Sequence, residues 1–164
     1  MEKITDWNAL WRELVALKEK SRSAKTEERS REDPWKDAAL EFREGVQRRW
    51  SQPDSSRDFI IDAIGADSTV LDIGAGTGAW SVLLSRHAKQ VTAVEPSESM
   101  IAVMRETIDA ERIANIRIVQ GSWPEVYVEQ HDYSLCAHAV YGYPDLLSFI
   151  LRMIACTKRM CFLL

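Results

Sequence analysis

From residue 68 onward the chain alternates short apolar runs with longer amphipathic stretches, and this alternation restricts the fold more than any other feature. The runs read TVLDI, QVTAVE, NIRIVQ, YSLCAHA and MCFLL, with helices expected between them near 78–87, 97–111 and 145–156. A crossover helix returns the chain to the same end of a sheet, so successive strands lie side by side and parallel. The expected fold class is α/β: a Rossmann-like, doubly wound, mostly parallel sheet of about five strands, preceded by N-terminal helices. In such sheets ligands bind beyond the carboxyl ends of the strands, where the strand order reverses.

The chain divides into an N-terminal helical segment, residues 1–55, and a sheet domain, residues 56–164. Trp7, Leu10, Trp11, Leu14 and Leu17 recur at helical spacing, and Asp6 precedes them as a cap. The run SRSAKTEERSRED over 21–33 is charged without periodicity and reads as a solvated connection. A second helix is expected from Asp33-Pro34, with proline at its first position and Trp35, Ala38, Ala39, Phe42 and Val46 on its apolar face. The segment Ser51-Gln52-Pro53-Asp54 ends it, and a third helix follows over about 55–64. The N-terminal helices are candidates for a lid over the crevice. Trp35, Phe42 and Trp50 would line it, with core packing as the competing role of each.

Composition narrows the partners. At 164 residues, 46% apolar and 28% charged, this is an ordinary globular domain. The formal net charge is -4 and no basic block occurs, which argues against nucleic acid as the main partner. No apolar run approaches the ~20 residues that span a bilayer, and MEKITDWNAL lacks a secretory pattern. No membrane partner and a cytoplasmic location are therefore expected. Cys136, Cys156 and Cys161 lie in apolar surroundings without a Cys-x-x-Cys pair and read as small buried hydrophobes, with neither disulfide nor metal site.

The first strand runs into Val70-Leu71-Asp72-Ile73-Gly74-Ala75-Gly76-Thr77-Gly78-Ala79-Trp80. Glycines permit positive φ and close approach of a ligand to the main chain. Gly74-x-Gly76-x-x-Ala79 satisfies the relaxed dinucleotide fingerprint, while Gly78 completes the alternate frame G-x-G-x-G. Asp72 separates the two. A carboxylate repels a pyrophosphate and attracts an ammonium or sulfonium group. Glu95, about twenty residues after the loop begins, closes the second strand, where an acidic side chain accepts from both ribose hydroxyls. A nucleoside with a cationic amino-acid tail satisfies the loop, Asp72 and Glu95 together.

These residues resemble the class I S-adenosylmethionine-dependent methyltransferases, in particular the broad type 11 small-molecule group. VLDIGAGTGAW resembles the family's first motif and VTAVEPSESM its second. Gly121-Ser122-Trp123 falls at the adenine motif, and HDYSLCAHAVYGYPDL resembles the motif bordering the acceptor. The resemblance covers roughly 54–164. It implies that S-adenosyl-L-methionine is the cofactor, with Gly74, Ala75, Gly76 and Gly78 against its methionine part and Asp72 orienting its amino group. Glu95 would hold the ribose. Pro96, Met100 and Trp123 would border ribose or adenine, against a competing role in helix packing for Met100 and a structural role for Trp123. Ser122 stands where many relatives carry an adenine-binding Asp. A small-molecule acceptor is implied, near His138, Tyr141 and Tyr143. His138 and Tyr141 are the candidate catalytic residues. Imidazole exchanges protons near neutral pH, which makes His138 the candidate base against a structural role of equal weight. His87 and His131 read as surface residues without chemistry. A noncatalytic S-adenosylmethionine-binding or regulatory module and a nicotinamide-dependent oxidoreductase are the competing functions, the latter disfavoured by Asp72. Relative to the resembling family, a helix and two strands are missing after MCFLL, which makes this fifth strand an edge. The expectation is a fragment of a longer methyltransferase or, failing that, a homodimer through the exposed edge.

Overall fold

The computed structural model describes residues 6–23 and 33–164. Three helices come first: α1 (Trp7–Ser23), α2 (Ala39–Trp50) and α3 (Ser55–Ala63). The sheet domain then runs β1 (Thr69–Ile73), α4 (Ala79–Ser85), β2 (Gln90–Glu95), α5 (Glu98–Ala110), β3 (Ile116–Gln120) and β4 (His131–Cys136). A 3-10 turn (Val140–Gly142), α6 (Leu146–Ala155) and β5 (Thr157–Leu163) complete it. All pairings are parallel, in the order β3-β2-β1-β4-β5. The order therefore reverses at β1, whose carboxyl end faces the crevice of such a sheet.

The central strands are apolar on both faces because helices cover both. Val70, Leu71, Val91, Ala93, Val94 and Leu135 are fully buried. On one face Leu71, Ile73 and Val94 pack with Trp123, Phe149 and Met153. On the other, Val70, Val91 and Leu135 pack with Ile60, Ile64, Leu84 and Phe162. Each large aliphatic side chain buried this way contributes about 1.5–3 kcal/mol.

The two outer helices attach to opposite flanks. α2 lays Ala39 and Val46 inward, and Ala39 joins a small cluster with Met100 and Val103 of α5, with Phe42 packed against it. α1 lies along α6, where the Trp11 indole N–H donates to the Tyr143 carbonyl at 2.8 Å and Val15 is buried. The apolar stripe expected on α1 is mostly exposed. Trp7 keeps 73% of its surface and Leu17 62%, because only the Trp11–Val15 edge meets α6.

Three expectations need correction. The second helix does not start at Pro34. Residues 34–38 form turns, with Lys36 N donating to Asp33 O and Ala38 N to Trp35 O, and the α-helix begins at Ala39. The fourth strand stops at Cys136, so Ala137, His138 and Ala139 belong to a loop. His131 is buried rather than at the surface. Its Nε2 pairs with Thr92 Oγ1 at 2.8 Å and its Nδ1 with the Glu129 carbonyl at 2.9 Å, and desolvation lowers its pKa. Of the charged run 21–33, residues 24–32 lie outside the described residues. Cys136 and Cys156 are buried and Cys161 partly so, all three free.

Candidate active site

At the end of β1 the chain must leave the sheet and enter α4 within five residues, Gly74 to Gly78. It does so by placing Gly74, Gly76 and Gly78 at φ of +71°, +57° and +85°. The three glycines answer different demands. A Cβ on Gly74 would collide with the Ala139 side chain, and one on Gly78 with Met104. At Gly76 a Cβ would fit without a clash, in ordinary contact with the Phe42 ring at 3.6 Å.

The loop's amides face inward. Gly74 N and Ala75 N both donate to Val94 O at 2.8 and 3.0 Å, Gly76 N donates to Glu95 Oε2 at 2.8 Å, and Gly78 N to Ala75 O at 2.9 Å. A phosphate-binding loop turns such donors toward the anion. Here they tie the loop to the end of β2, and two buried carboxylates stand where a pyrophosphate would need positive charge.

Asp72 is buried beneath the loop, where its Oδ2 accepts from Ser81 Oγ at 2.6 Å. Burial pushes its carboxyl up to about 7; the Ser81 hydroxyl and amide oppose the shift and the Glu95 charge adds to it. Glu95 is also buried. Its Oε2 takes Gly76 N and its Oε1 takes Ser97 N at 2.9 Å. Burial raises its pKa as well, partly offset by those two amides. A carboxylate offers about four lone-pair sites, so two remain for incoming hydroxyls.

The network continues outward. Ser97 caps α5 through Met100 N, and its hydroxyl also donates to Asp33 at 2.7–2.8 Å. Asp33 further accepts from Ser99 N at 2.8 Å and Trp35 N at 3.0 Å. Partial burial works against its charge, but these bonds outweigh it and hold the carboxyl at about 2. Sequence reasoning assigned no function to Asp33, Ser81 or Ser97. The capping pattern before α5 points to Ser97; nothing local points to Asp33.

The loop after β4 presses Ala139, which lies between His138 and the 3-10 turn that carries Tyr141, against Gly74. His138 adopts φ of +58°, a conformation uncommon outside glycine, held by its N–H to Leu164 O at 3.1 Å. Its Nδ1 lies 3.2 Å from the Tyr141 hydroxyl, with both rings exposed and 6.1 Å apart. Lys18 of α1 reaches the Tyr141 face at 5.9 Å.

Pro96 and Ser122 are exposed at the ends of β2 and β3, near the crevice. Trp123 is buried in the core, its indole N–H donating to Phe149 O at 3.2 Å and its ring set edge-on to Phe149. Met100 likewise packs with Ala39 and Val103 under α2. Among the described residues no cluster of ligating side chains suits a metal ion.

Residues 70–159 match the Methyltransferase domain family. This chain belongs to that family. Its fold is the Rossmann-like α/β fold of the solved methyltransferases it resembles. The residues present would suit S-adenosyl-L-methionine: Glu95 would accept ribose hydroxyls on its remaining lone pairs, the loop at Gly76 would receive the amino-acid tail, and the buried carboxylates would attract a cation. The methyltransferase domain is 33% identical over 64 residues to the ribosomal protein L11 methyltransferase of Acetivibrio thermocellus, covering 38% of this chain and 20% of that protein. It is 26% identical over 111 residues to the ribosomal RNA small subunit methyltransferase G of Thermobifida fusca, covering 66% and 47%. The crystal structure of the YcgJ protein from Bacillus subtilis superimposes with a TM-score of 0.59 at 22% identity, over 63% of this chain and 46% of that one. The chain thus spans less than half the length of these curated relatives.

Proposed function

We propose that this domain transfers the methyl group of S-adenosyl-L-methionine to a small-molecule acceptor presented beside His138 and Tyr141. The observation that carries it is the glycine loop with its amides turned inward between buried Asp72 and Glu95. That arrangement suits a cationic nucleoside and disfavours a dinucleotide. In this reading Gly76 receives the tail of the cofactor, with Gly74, Ala75 and Gly78 shaping the turn. Asp72 attracts its amino group, Glu95 accepts from its ribose, and Pro96 and Ser122 border its base. Met100 and Trp123 support these residues by packing.

The bound cofactor supplies an already activated methyl group, so the chain's task is mainly to align the acceptor and exclude water. An acceptor that must lose a proton delivers it to Nε2 of His138, while the Tyr141 hydroxyl at Nδ1 fixes the ring. The formal charge of -4 supports a small acceptor over RNA. Two measurements test the proposal. Calorimetry with S-adenosylhomocysteine and with nicotinamide dinucleotides is expected to show binding of the first alone. Transfer of labelled methyl groups to fractionated small molecules, RNA and protein is expected to label the small-molecule fraction. Labelled RNA or protein instead would overturn the acceptor class while leaving the cofactor site intact.

A further inference from the structure

We propose that the turn 33–38 is the base-binding wall of the nucleoside site, with Trp35 stacking on the adenine ring and Asp33 acting as the positioning residue that holds the wall in place. This rests on the cofactor reading above and extends it to residues outside the matched family region, which starts at residue 70.

A cleft of about 420 Å³ opens between this turn and the sheet, lined by Asp33, Pro34 and Trp35 on one side and by Pro96, Ser97, Glu98 and Gln120 on the other. Its floor begins one residue after Glu95. A nucleoside whose ribose meets Glu95 and whose amino-acid tail runs toward Gly76 must send its base away from the glycine loop. The cleft at Pro96 and Gln120 lies on that side. Trp35 retains 37% of its surface, so its ring is available to a ligand. Its angle is set by an edge-on contact with Phe42, 5.2 Å between centroids, and Phe42 in turn stands over Gly76. One aromatic pair therefore faces both ends of the ligand. Stacking on an aromatic ring is a general way to hold a base.

Asp33 fixes this wall. Its carboxylate receives Ser97 Oγ and Ser99 N at the start of α5 and Trp35 N within its own turn. Ser97 N is bound to Glu95, so the residue that accepts the ribose and the residue that places the wall share one serine. Without Asp33 the turn loses its ties to α5 while the sheet is untouched.

The test is calorimetry of S-adenosylhomocysteine, adenosine and methionine on the full chain and its variants, with thermal melts alongside. Trp35→Ala is expected to weaken S-adenosylhomocysteine and adenosine at least tenfold and to leave methionine unchanged, and Trp35→Phe to restore most of the loss. Asp33→Ala is expected to weaken S-adenosylhomocysteine in the parent chain and to add nothing in a Trp35→Ala background, because its effect runs through Trp35. Unchanged affinity in a folded Trp35→Ala chain, or additive losses in the double variant, overturns the wall while the cofactor reading stands. Failure of the parent chain to bind S-adenosylhomocysteine overturns both.

Discussion

Asp72 sits at the boundary between two charge states. Its carboxyl, raised from an ordinary 3.8 to about 7 by burial, faces Glu95 and Cys136 and is partly protonated at neutral pH. As an acid with a raised pKa it favours the ligand-free fold at low pH, and that contribution falls as pH rises from about 3.8 through about 7. A cation beside it reverses the preference and expels the proton. Affinity for S-adenosyl-L-methionine is therefore expected to rise with pH through about 7 and then level off, with proton release visible as buffer-dependent heats in calorimetry. Asp72→Asn should flatten the slope; a slope that persists in that variant would separate Asp72 from the ligand. Glu95→Ala removes the proposed ribose acceptor and should weaken binding about ten- to a hundredfold, corresponding to roughly 1.5–3 kcal/mol. Circular dichroism should show the chain still folded, and unchanged calorimetric affinity would remove Glu95 from the site.

Among the elements, the glycine loop makes a prediction of its own. Gly74→Ala drives a Cβ into Ala139 at φ +71°, and is expected to lower stability by about 2–4 kcal/mol in denaturant melts. Gly76→Ala meets only Phe42, so it should cost less stability, about 1–2 kcal/mol, and show its main effect on cofactor affinity. Equal melts for the two variants would sink the distinction between a packing glycine and a ligand glycine. The sheet was legible because its signals are local: TVLDI and QVTAVE are buried on both faces, and the intervening glycines leave few conformations. The placement of α2 was not legible, since Asp33 is bound to Ser97, 64 residues away, and that bond holds the preceding turn against α5. The packing of Trp123 was not legible for the same reason. Its indole partner, the Phe149 carbonyl, comes from α6, and nothing beside Gly121-Ser122 in the sequence announces it. His131 read as a surface residue because its partner Thr92 lies on a different strand.

At the scale of the whole molecule, buried His131 ties stability to pH. Its pKa lies below the usual 6.5, so its contribution is complete above that value and lost as pH falls through the lowered one. Urea midpoints should fall as the solution is acidified below about 6.5, and His131→Gln should flatten that dependence; an unchanged profile would place the acid lability elsewhere. Among the described residues β5 pairs only with β4, and Leu147, Leu151 and Ile154 of α6 are each about 55% exposed. Self-association that grows with concentration is the expected result in light scattering, reduced by Leu151→Glu; a parent chain monomeric at high micromolar concentration would count against it. No helix among the described residues is long and apolar enough to cross a membrane. The way α1 and α2 grip opposite flanks also sets an order of events during synthesis. The Trp11–Tyr143 bond joins residues 132 apart and the Asp33–Ser97 bond residues 64 apart. Helices α1 and α2, made before the sheet, must therefore wait, undocked, until the strands that follow them have been made. The α2 cover over the glycine loop closes once α5 is out, and the α6 flank closes only when Tyr143 follows.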